Sequence, residues 1–145
     1  MILGFMSKFD GQPTDFIQKI SDDIKLHTMR EDIHKRWKAG RTIQFCTGVR
    51  TKQFKQHLEK PCTSIQEVEM KLEKGADLYS LFSVNIFIDG KLHNPLLNQE
   101  FARNDGFKDE RDFMKWFFFE KRKGKWKQVR TKWTGRLIHW TDLKY

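Results

Sequence analysis

The segment IKLHTMRED, residues 24–32, concentrates side chains that can do chemistry. Thr28 and Arg30 are two residues apart, so on an extended strand they share one face, whereas Lys25 does not share it. We therefore predict that Lys25 joins Thr28 from the junction between a helix and the strand. A lysine held near a hydroxyl can act as a general base if its pKa is lowered. Arg30 offers a planar fork suited to a carbonyl or phosphate oxygen.

The same residues also have a simpler interpretation. A threonine and an arginine that alternate on a strand are often simply solvated, or the arginine takes part in a structural ion pair. The role of Trp37 is likewise undecided by the pattern, because its indole could bind substrate by stacking on a base or could cover the core beside a turn. His27 has the strand parity of Met29, opposite to that of Thr28, and we interpret it as structural.

The elements around this segment follow from turn residues and apolar spacing. Residues 2–5 predict a first strand, and residues 10–24 predict a turn and a helix that has Thr14 as its cap. Residues 27–31 predict the strand that carries Thr28, and residues 41–48 predict the next strand. Trp37 lies between these two strands.

The second half of the chain alternates strands and helices. Residues 63–73 predict a strand with a bulge between Ile65 and Val68. The remaining predicted elements are a strand in residues 78–90 with a turn at Asp89 and Gly90, helices in residues 94–107 and 108–120, and a strand in residues 135–143. Five or six strands with such helices predict an α+β, mainly β fold, a small and mostly antiparallel β-barrel with flanking helices.

Length and composition limit the class of protein. The 145 residues suit one domain, residues 1–145. The aromatic share of 14%, with 13 Phe and 5 Trp, predicts an aromatic core and excludes a disordered chain. Lysine and arginine outnumber aspartate and glutamate by 28 to 19, and the resulting charge of +9 favours polyanions. Nucleic acid is therefore the leading partner class.

Several other classes are excluded. Cys46 and Cys62 have neither the number nor the spacing of a disulfide framework, so we predict reduced thiols. The five histidines show no ligand spacing, so we predict no structural metal and no cofactor. A basic leader and a long apolar run are both missing, so we expect a cytoplasmic chain that does not span a membrane.

Residues 121–136, here named the basic segment, carry eight lysines and arginines, no acidic residue and two interleaved tryptophans. Charge runs are often only solvated, but aromatic residues add base stacking to phosphate contacts. The segment therefore predicts contact with RNA or single-stranded DNA. The residues assigned to this contact are Lys121, Arg122, Lys123, Lys125, Trp126, Lys127, Arg130, Lys132 and Trp133.

Two motifs resemble the ASCH family, a group of small barrels related to the PUA domain. The first motif reads Lys25-x-x-Thr28-x-Arg30-acid, followed by Trp37-x-x-Gly40-x-x-Ile43. The second is FARNDGFKDERDFMKWF, residues 101–117, which is similar to the family's paired helices. Together with the closing strand they extend over nearly the whole chain. The resemblance implies a PUA-like fold with a cleft between the barrel and the helices.

The motifs are similar to those of small bacterial family members that are N4-acetylcytidine amidohydrolases. The resemblance places their catalytic lysine and threonine at Lys25 and Thr28, and their carboxylate at Asp105. This chain has aspartate where those enzymes have glutamate. The side chain is one methylene shorter, which withdraws the carboxylate by roughly 1 Å, and a displacement of that size can cost about 100-fold in rate.

Two hypotheses of different class result. The first is an amidohydrolase acting on a modified nucleoside, with Thr28 as nucleophile or water-positioner, Lys25 as base, Asp105 as orienter and Arg30 as clamp. The alternative is a non-catalytic module that binds RNA or a modified base. A ribonuclease is a weaker third hypothesis because no histidine pair is placed for acid–base cleavage. The oligomeric state and the identity of the substrate do not follow from the sequence.

Overall fold

Strands make up most of the ordered elements in the computed structural model, which describes residues 1–74 and 82–145. The strands are β1 (Ile2–Phe5), β2 (Lys8–Phe9), β3 (Gln12–Pro13), β4 (His27–Arg30), β5 (Thr42–Thr47), β6 (Lys55–Pro61), β7 (Ser64–Lys74), β8 (Phe82–Ile88), β9 (Lys91–Leu92), β10 (Phe119–Arg122), β11 (Lys125–Gln128) and β12 (Lys132–His139). The helices are α1 (Phe16–Ser21), α2 (Asn98–Asn104), which follows a 3-10 turn at Pro95–Leu97, and α3 (Glu110–Phe118).

The strands form two main sheets. The larger sheet has the order β4-β12-β7-β8-β9 and is antiparallel throughout. The smaller sheet has the order β1-β5-β6, and in it β1 runs parallel to β5. Two short hairpins, β2-β3 and β10-β11, complete the pairing. The α+β, mainly β class is confirmed, but the strands described form open sheets and no closed barrel.

Most of the predicted elements are present. The first strand, the strand with Thr28, the two late helices and the closing strand are confirmed. In the predicted strand of residues 78–90, residues 82–88 form β8 and end at the predicted turn, where Asp89 and Gly90 have φ angles of 49° and 79°. Residues 78–81 of that prediction lie outside the described residues.

Two local predictions are wrong. The predicted bulge between Ile65 and Val68 is not there, because β7 pairs with β12 without a break; the shift in register lies between Phe45 and Cys46. Thr14 does not cap α1, since its hydroxyl donates to the carbonyl of Met6. The short strands β2, β3 and β9, the longer strand β6 and the hairpin β10-β11 are not among the predicted elements.

The core is aromatic, as the composition predicts. Fully buried rings include Phe45, Phe101, Phe113 and Phe118, and they pack with aliphatic side chains of both sheets. Phe101 of α2 meets Phe113 of α3 edge to face, with ring centroids 5.9 Å apart. This contact fixes the two late helices against each other. The loop between them, which carries Asp105, is thereby held against the large sheet.

Candidate functional site

A cavity of about 100 Å³ lies between β1, the start of α1, the α1–β4 junction, β4, the α2–α3 loop and α3. Lys25, Thr28, Arg30 and Asp105 all line it. The structure therefore brings together the four polar residues that the sequence motifs single out, although Asp105 is 80 residues from Lys25 along the chain.

Lys25 lies at the helix-to-strand junction, between α1 and β4, as predicted from its spacing to Thr28. The amides of Ile24 and Lys25 both donate to the carbonyl of Lys19, at 2.8 and 2.9 Å, which ends the helix in a tight turn. The amide of Leu26 donates to the carbonyl of Asn104 at 2.7 Å. Because Asn104 precedes Asp105, this bond sets the lysine beside the carboxylate.

Lys25 and Asp105 form a buried ion pair. The Nζ atom of Lys25 lies 2.6 Å from Oδ1 of Asp105, and the two side chains are 1% and 2% exposed. The same amine donates to the main-chain carbonyl of Asp105. Aromatic rings surround its other side, since Nζ is 4.7 Å from the centroid of Phe16 and 5.7 Å from that of Phe5.

Burial shifts the pKa values of both partners toward neutrality. Desolvation lowers the pKa of Lys25 to about 8, and the opposing attraction of Asp105 keeps the pKa from falling further. Desolvation likewise raises the pKa of the Asp105 carboxyl, opposed chiefly by Lys25. A neutral amine has two N–H bonds and one lone pair. Oδ1 and the main-chain carbonyl oxygen of Asp105 can accept both N–H bonds, which leaves the lone pair for a substrate.

The Asp105 carboxylate reaches Lys25 because the backbone at Gly106 lies close to the lysine side chain. Gly106 has a φ of +87°, and a Cβ at this position would lie 2.9 Å from Cδ of Lys25 and 3.0 Å from Cδ1 of Phe16. Only glycine permits both the turn and the contact at low cost. The position of the loop therefore brings the short Asp105 side chain into contact with Lys25.

Arg30 contributes a charged group at the rim of the cavity. Its Nη2 atom donates to the carbonyl of Gly4 at 2.7 Å, and its guanidinium lies 5.2 Å from the centroid of Phe5. Desolvation lowers the pKa of Arg30, yet a guanidinium remains charged at neutral pH. One edge of the fork is thus anchored on β1, and Nη1 makes only a 3.5 Å contact with the carbonyl of Met29, so it can still turn to a ligand.

Aromatic side chains that the sequence analysis did not assign to the site form the walls. These residues are Phe5, Phe16, Phe107, Trp116 and Phe117. Phe107 and Trp116 lie 5.5 Å apart edge to face, and Phe16 meets both rings at 5.7 and 5.9 Å. For Phe107, Trp116 and Phe117 the only sequence signal is the aromatic spacing within residues 101–117, whereas Phe5 and Phe16 follow from the apolar pattern of the first strand and helix. A polar cluster on an aromatic wall suits a flat, partly polar ring.

Open grooves continue from the cavity. One of about 380 Å³ shares Arg30, Trp116 and Phe117 with it and extends to Arg130 of the basic segment. Another of about 490 Å³ shares Phe5 and follows the chain around β1. The cavity itself is smaller than the roughly 300–1,000 Å³ of typical ligand sites. A nucleoside would therefore insert only its reacting end, with the remainder in a groove.

Two tryptophans assigned to ligands are core residues instead. Trp37 is 6% exposed and does not line the cavity, because the Asp32 carboxylate and Arg136 hold its backbone and turn the loop inward. Trp133 is 5% exposed, and its ring packs on Phe117 at 5.0 Å. Neither indole can offer a free face to a base, so the core interpretation of Trp37 holds and the nucleic-acid assignment of Trp133 is corrected.

The rest of the basic segment lies mainly on the hairpin β10-β11. Five of its cations have acidic partners. Four pairs, Lys121–Asp10, Arg122–Glu120, Arg130–Glu31 and Lys132–Glu69, are 2.6 to 2.9 Å apart, and Arg136 lies 3.4 Å from Asp32 and 3.6 Å from Glu67. Lys123, Lys125 and Lys127 are exposed and have no ion pair within the described part of the chain. Trp126 points the other way and packs on Phe9, with centroids 5.8 Å apart. Only three lysines thus form an unpaired cationic face.

Comparison of the chain with family models, with curated proteins and with solved structures finds no match. Residues 1–74 and 82–145 contain no helix that is long and apolar enough to cross a membrane. Over the same ranges, no three histidine, cysteine, aspartate or glutamate side chains are grouped to hold a metal ion. The resemblance to the ASCH family therefore stays a prediction from the motifs, and the geometry of the cavity is the basis for function.

Proposed function

We propose that the chain is an ASCH-type, PUA-like protein that binds a modified nucleobase in its cavity and hydrolyses the exocyclic amide of N4-acetylcytidine. One observation carries the proposal. A lysine whose pKa is lowered to about 8 is buried 2.6 Å from a carboxylate, in a cavity that it shares with a threonine hydroxyl. Such a pair costs folding free energy to bury and suits proton transfer near neutral pH.

The reaction uses the four residues as follows. Neutral Lys25 takes a proton from the Thr28 hydroxyl or from a water held by it, and the resulting oxygen attacks the acetyl carbon. Arg30 hydrogen-bonds the carbonyl oxygen as it gains negative charge. The lysine then returns the proton to the N4 nitrogen, the C–N bond breaks, and cytidine leaves. If Thr28 has become acetylated, a water releases acetate from it. Asp105 keeps the amine oriented throughout.

Purified protein should release acetate from N4-acetylcytidine, and the Thr28 hydroxyl should be required. Thr28→Val keeps the shape of the side chain and should lower kcat about 1,000-fold or more, whereas Thr28→Ser should stay within about tenfold. Mass spectrometry of the quenched reaction separates the two roles, since a nucleophile carries an acetyl group and a water-positioner does not. Unmodified protein that releases no acetate would reject the hydrolase.

The rate should rise with pH. A general base must be neutral, and burial lowers the pKa of Lys25 to about 8. Below that value the protonated form dominates, so kcat/KM should increase roughly tenfold per pH unit, and above it the rate should level off. A pH series with N4-acetylcytidine measures this profile. A rate that falls as the pH rises would show that the protonated amine is the active form.

The alternative proposal is a module that binds RNA without chemistry. The supporting observation is the unpaired cationic face of Lys123, Lys125 and Lys127 on the hairpin, together with the groove that joins Arg130 to the cavity. Phosphates along a single strand could contact this face while one base enters the cavity. The two proposals share the cavity and differ only in whether the base is altered.

Replacing Lys123, Lys125 and Lys127 together by glutamine should weaken the salt dependence of RNA binding. Each phosphate contact contributes about 0.7 to the slope of log affinity against log salt, so the slope should become shallower by about 2. The control replaces Lys38, Lys52 and Lys144, which are also exposed. A single-stranded RNA titrated at several salt concentrations gives both slopes. If the slope of log affinity against log salt is the same for the two variants, RNA binding reflects only the general positive charge of the protein.

A further inference from the structure

A hydrogen-bonded cluster lies behind the ion pair, on the side of Asp105 away from the cavity. His27 is completely buried, and its Nε2 atom is 2.9 Å from the phenol oxygen of Tyr145. The side-chain amide of Asn104 donates to the same phenol oxygen at 2.9 Å. Tyr145 is held in turn by Gln66, which contacts its backbone at both the amide and the carbonyl.

These contacts favour one position for the imidazole proton of His27. Burial holds the pKa of His27 well below its ordinary value, so the ring is neutral and has one N–H. Because the Asn104 amide already donates to the Tyr145 oxygen, the phenol proton is available to Nε2 of His27. Nε2 is then an acceptor, and the imidazole proton resides on Nδ1.

The Nδ1 atom has no hydrogen-bond partner among the described residues, but it lies 3.8 Å from Oδ1 of Asp105. That oxygen is the one that also contacts Lys25. A shift of roughly 1 Å would bring the two atoms to hydrogen-bond distance. The position of this donor matters most when Lys25 is neutral, because Asp105 then lacks its cationic partner.

We propose that His27, with its tautomer set by Tyr145, is a positioning residue that keeps the Asp105 carboxylate ionised and turned toward Lys25. This role is not part of the reaction scheme above, in which Asp105 orients the amine, and its kinetic consequence rests on the proposed hydrolase. His27 does not touch the substrate. It acts through Asp105, which in turn holds the amine of Lys25.

Three substitutions separate a donor from a space-filling ring. His27→Asn places an amide near the former Nδ1, whereas His27→Gln places it near the former Nε2 and so removes the donor that faces Asp105 from position 27. Tyr145→Phe removes only the phenol hydroxyl that sets the tautomer. His139→Gln is the control, because the ring of His139 is also buried and lies 5.6 Å from that of His27, but its Nε2 faces Gln66.

The first measurement needs no substrate. Carbon-13 NMR of the labelled carboxyl of Asp105 gives the midpoint of its titration, and the Cε signal of Lys25 is followed in the same samples. The other titratable groups around His27 are His139, Tyr145 and, beyond the phenol ring, His93. In His27→Gln and Tyr145→Phe the midpoint should rise by about half a pH unit, since the carboxylate loses a donor. His27→Asn and His139→Gln should leave it unchanged.

The second measurement is kinetic. With N4-acetylcytidine, His27→Gln should lower kcat about tenfold with KM unchanged, and His27→Asn should retain most of the rate. Equal losses in the two variants, or an unchanged Asp105 midpoint in His27→Gln, would overturn the proposal and leave His27 a packing residue. If the unmodified protein proves inactive, the proposed hydrolase fails, while the NMR titration still decides whether His27 positions Asp105.

Discussion

Lys25→Met should abolish acetate release and also lower the free energy of unfolding by about 3–5 kcal/mol. Methionine fills a similar volume but has no charge, so Asp105 remains buried at 2% exposure without its partner. The stability loss is measured by urea unfolding. The matched control is Lys60→Met, because Lys60 pairs with the exposed Asp23 at 3.1 Å and such a pair contributes only about 0–1 kcal/mol.

The double variant Lys25→Met with Asp105→Asn distinguishes the structural role of the pair from its chemical role. Removing both charges leaves no buried carboxylate without a partner. The double variant should therefore regain more than half of the unfolding free energy that Lys25→Met loses. Activity should stay absent, because no base is present. If Lys25→Met alone destabilised the protein no more than Lys60→Met, the carboxylate would be reaching water, and the buried ion pair would be refuted.

Gly106→Ala should be the most damaging of the small substitutions near the site. The φ of +87° disfavours any side chain, and the new Cβ would lie 2.9 Å from the Lys25 side chain and 3.0 Å from the Phe16 ring. We expect a loss of about 2–4 kcal/mol, made up of backbone strain and displaced neighbours. Activity should fall about 100-fold, since a shift of roughly 1 Å at Lys25 misplaces the base.

Gly124 provides a control for the backbone part of that loss. It lies in the turn of the hairpin β10-β11 with a φ of +75°, and a Cβ there would meet nothing within 4 Å. Gly124→Ala should therefore cost only about 1–2 kcal/mol and leave acetate release unchanged. The difference between the two alanine variants measures the contact with Lys25 and Phe16. An equal loss at both glycines would mean that the Lys25 side chain gives way freely.

Local pattern was sufficient for most of the elements. Alternation predicted the strand that carries Thr28 and Arg30, and spacing placed Lys25 at the junction before it. The two late helices followed from Pro95, Gly106 and apolar periodicity. These features depend on residues close along the chain, where backbone geometry alone decides which side chains share a face.

The errors concern contacts between distant segments. The pattern leaves Trp37 open between a ligand and the core and assigns Trp133 to nucleic acid, because an aromatic residue beside charged ones resembles a binding surface, but the tertiary fold buries both. The expected barrel gave way to open sheets, since strand order depends on pairings between remote strands such as β4 with β12. Likewise, five cations of the basic segment have acidic partners, and only Arg122 finds its partner, Glu120, nearby on its own strand.

The sequence by itself determined most of the elements and the aromatic core, and it named Lys25, Thr28 and Arg30 as candidates, with Asp105 added by the family resemblance. The tertiary structure alone decided that Lys25 and Asp105 meet at 2.6 Å and that both are shielded from water. The physical reason is that a pKa depends on desolvation and on nearby charges, and both are supplied by Phe5, Phe16 and the α2–α3 loop. A surface lysine becomes a candidate base only when those distant residues cover it.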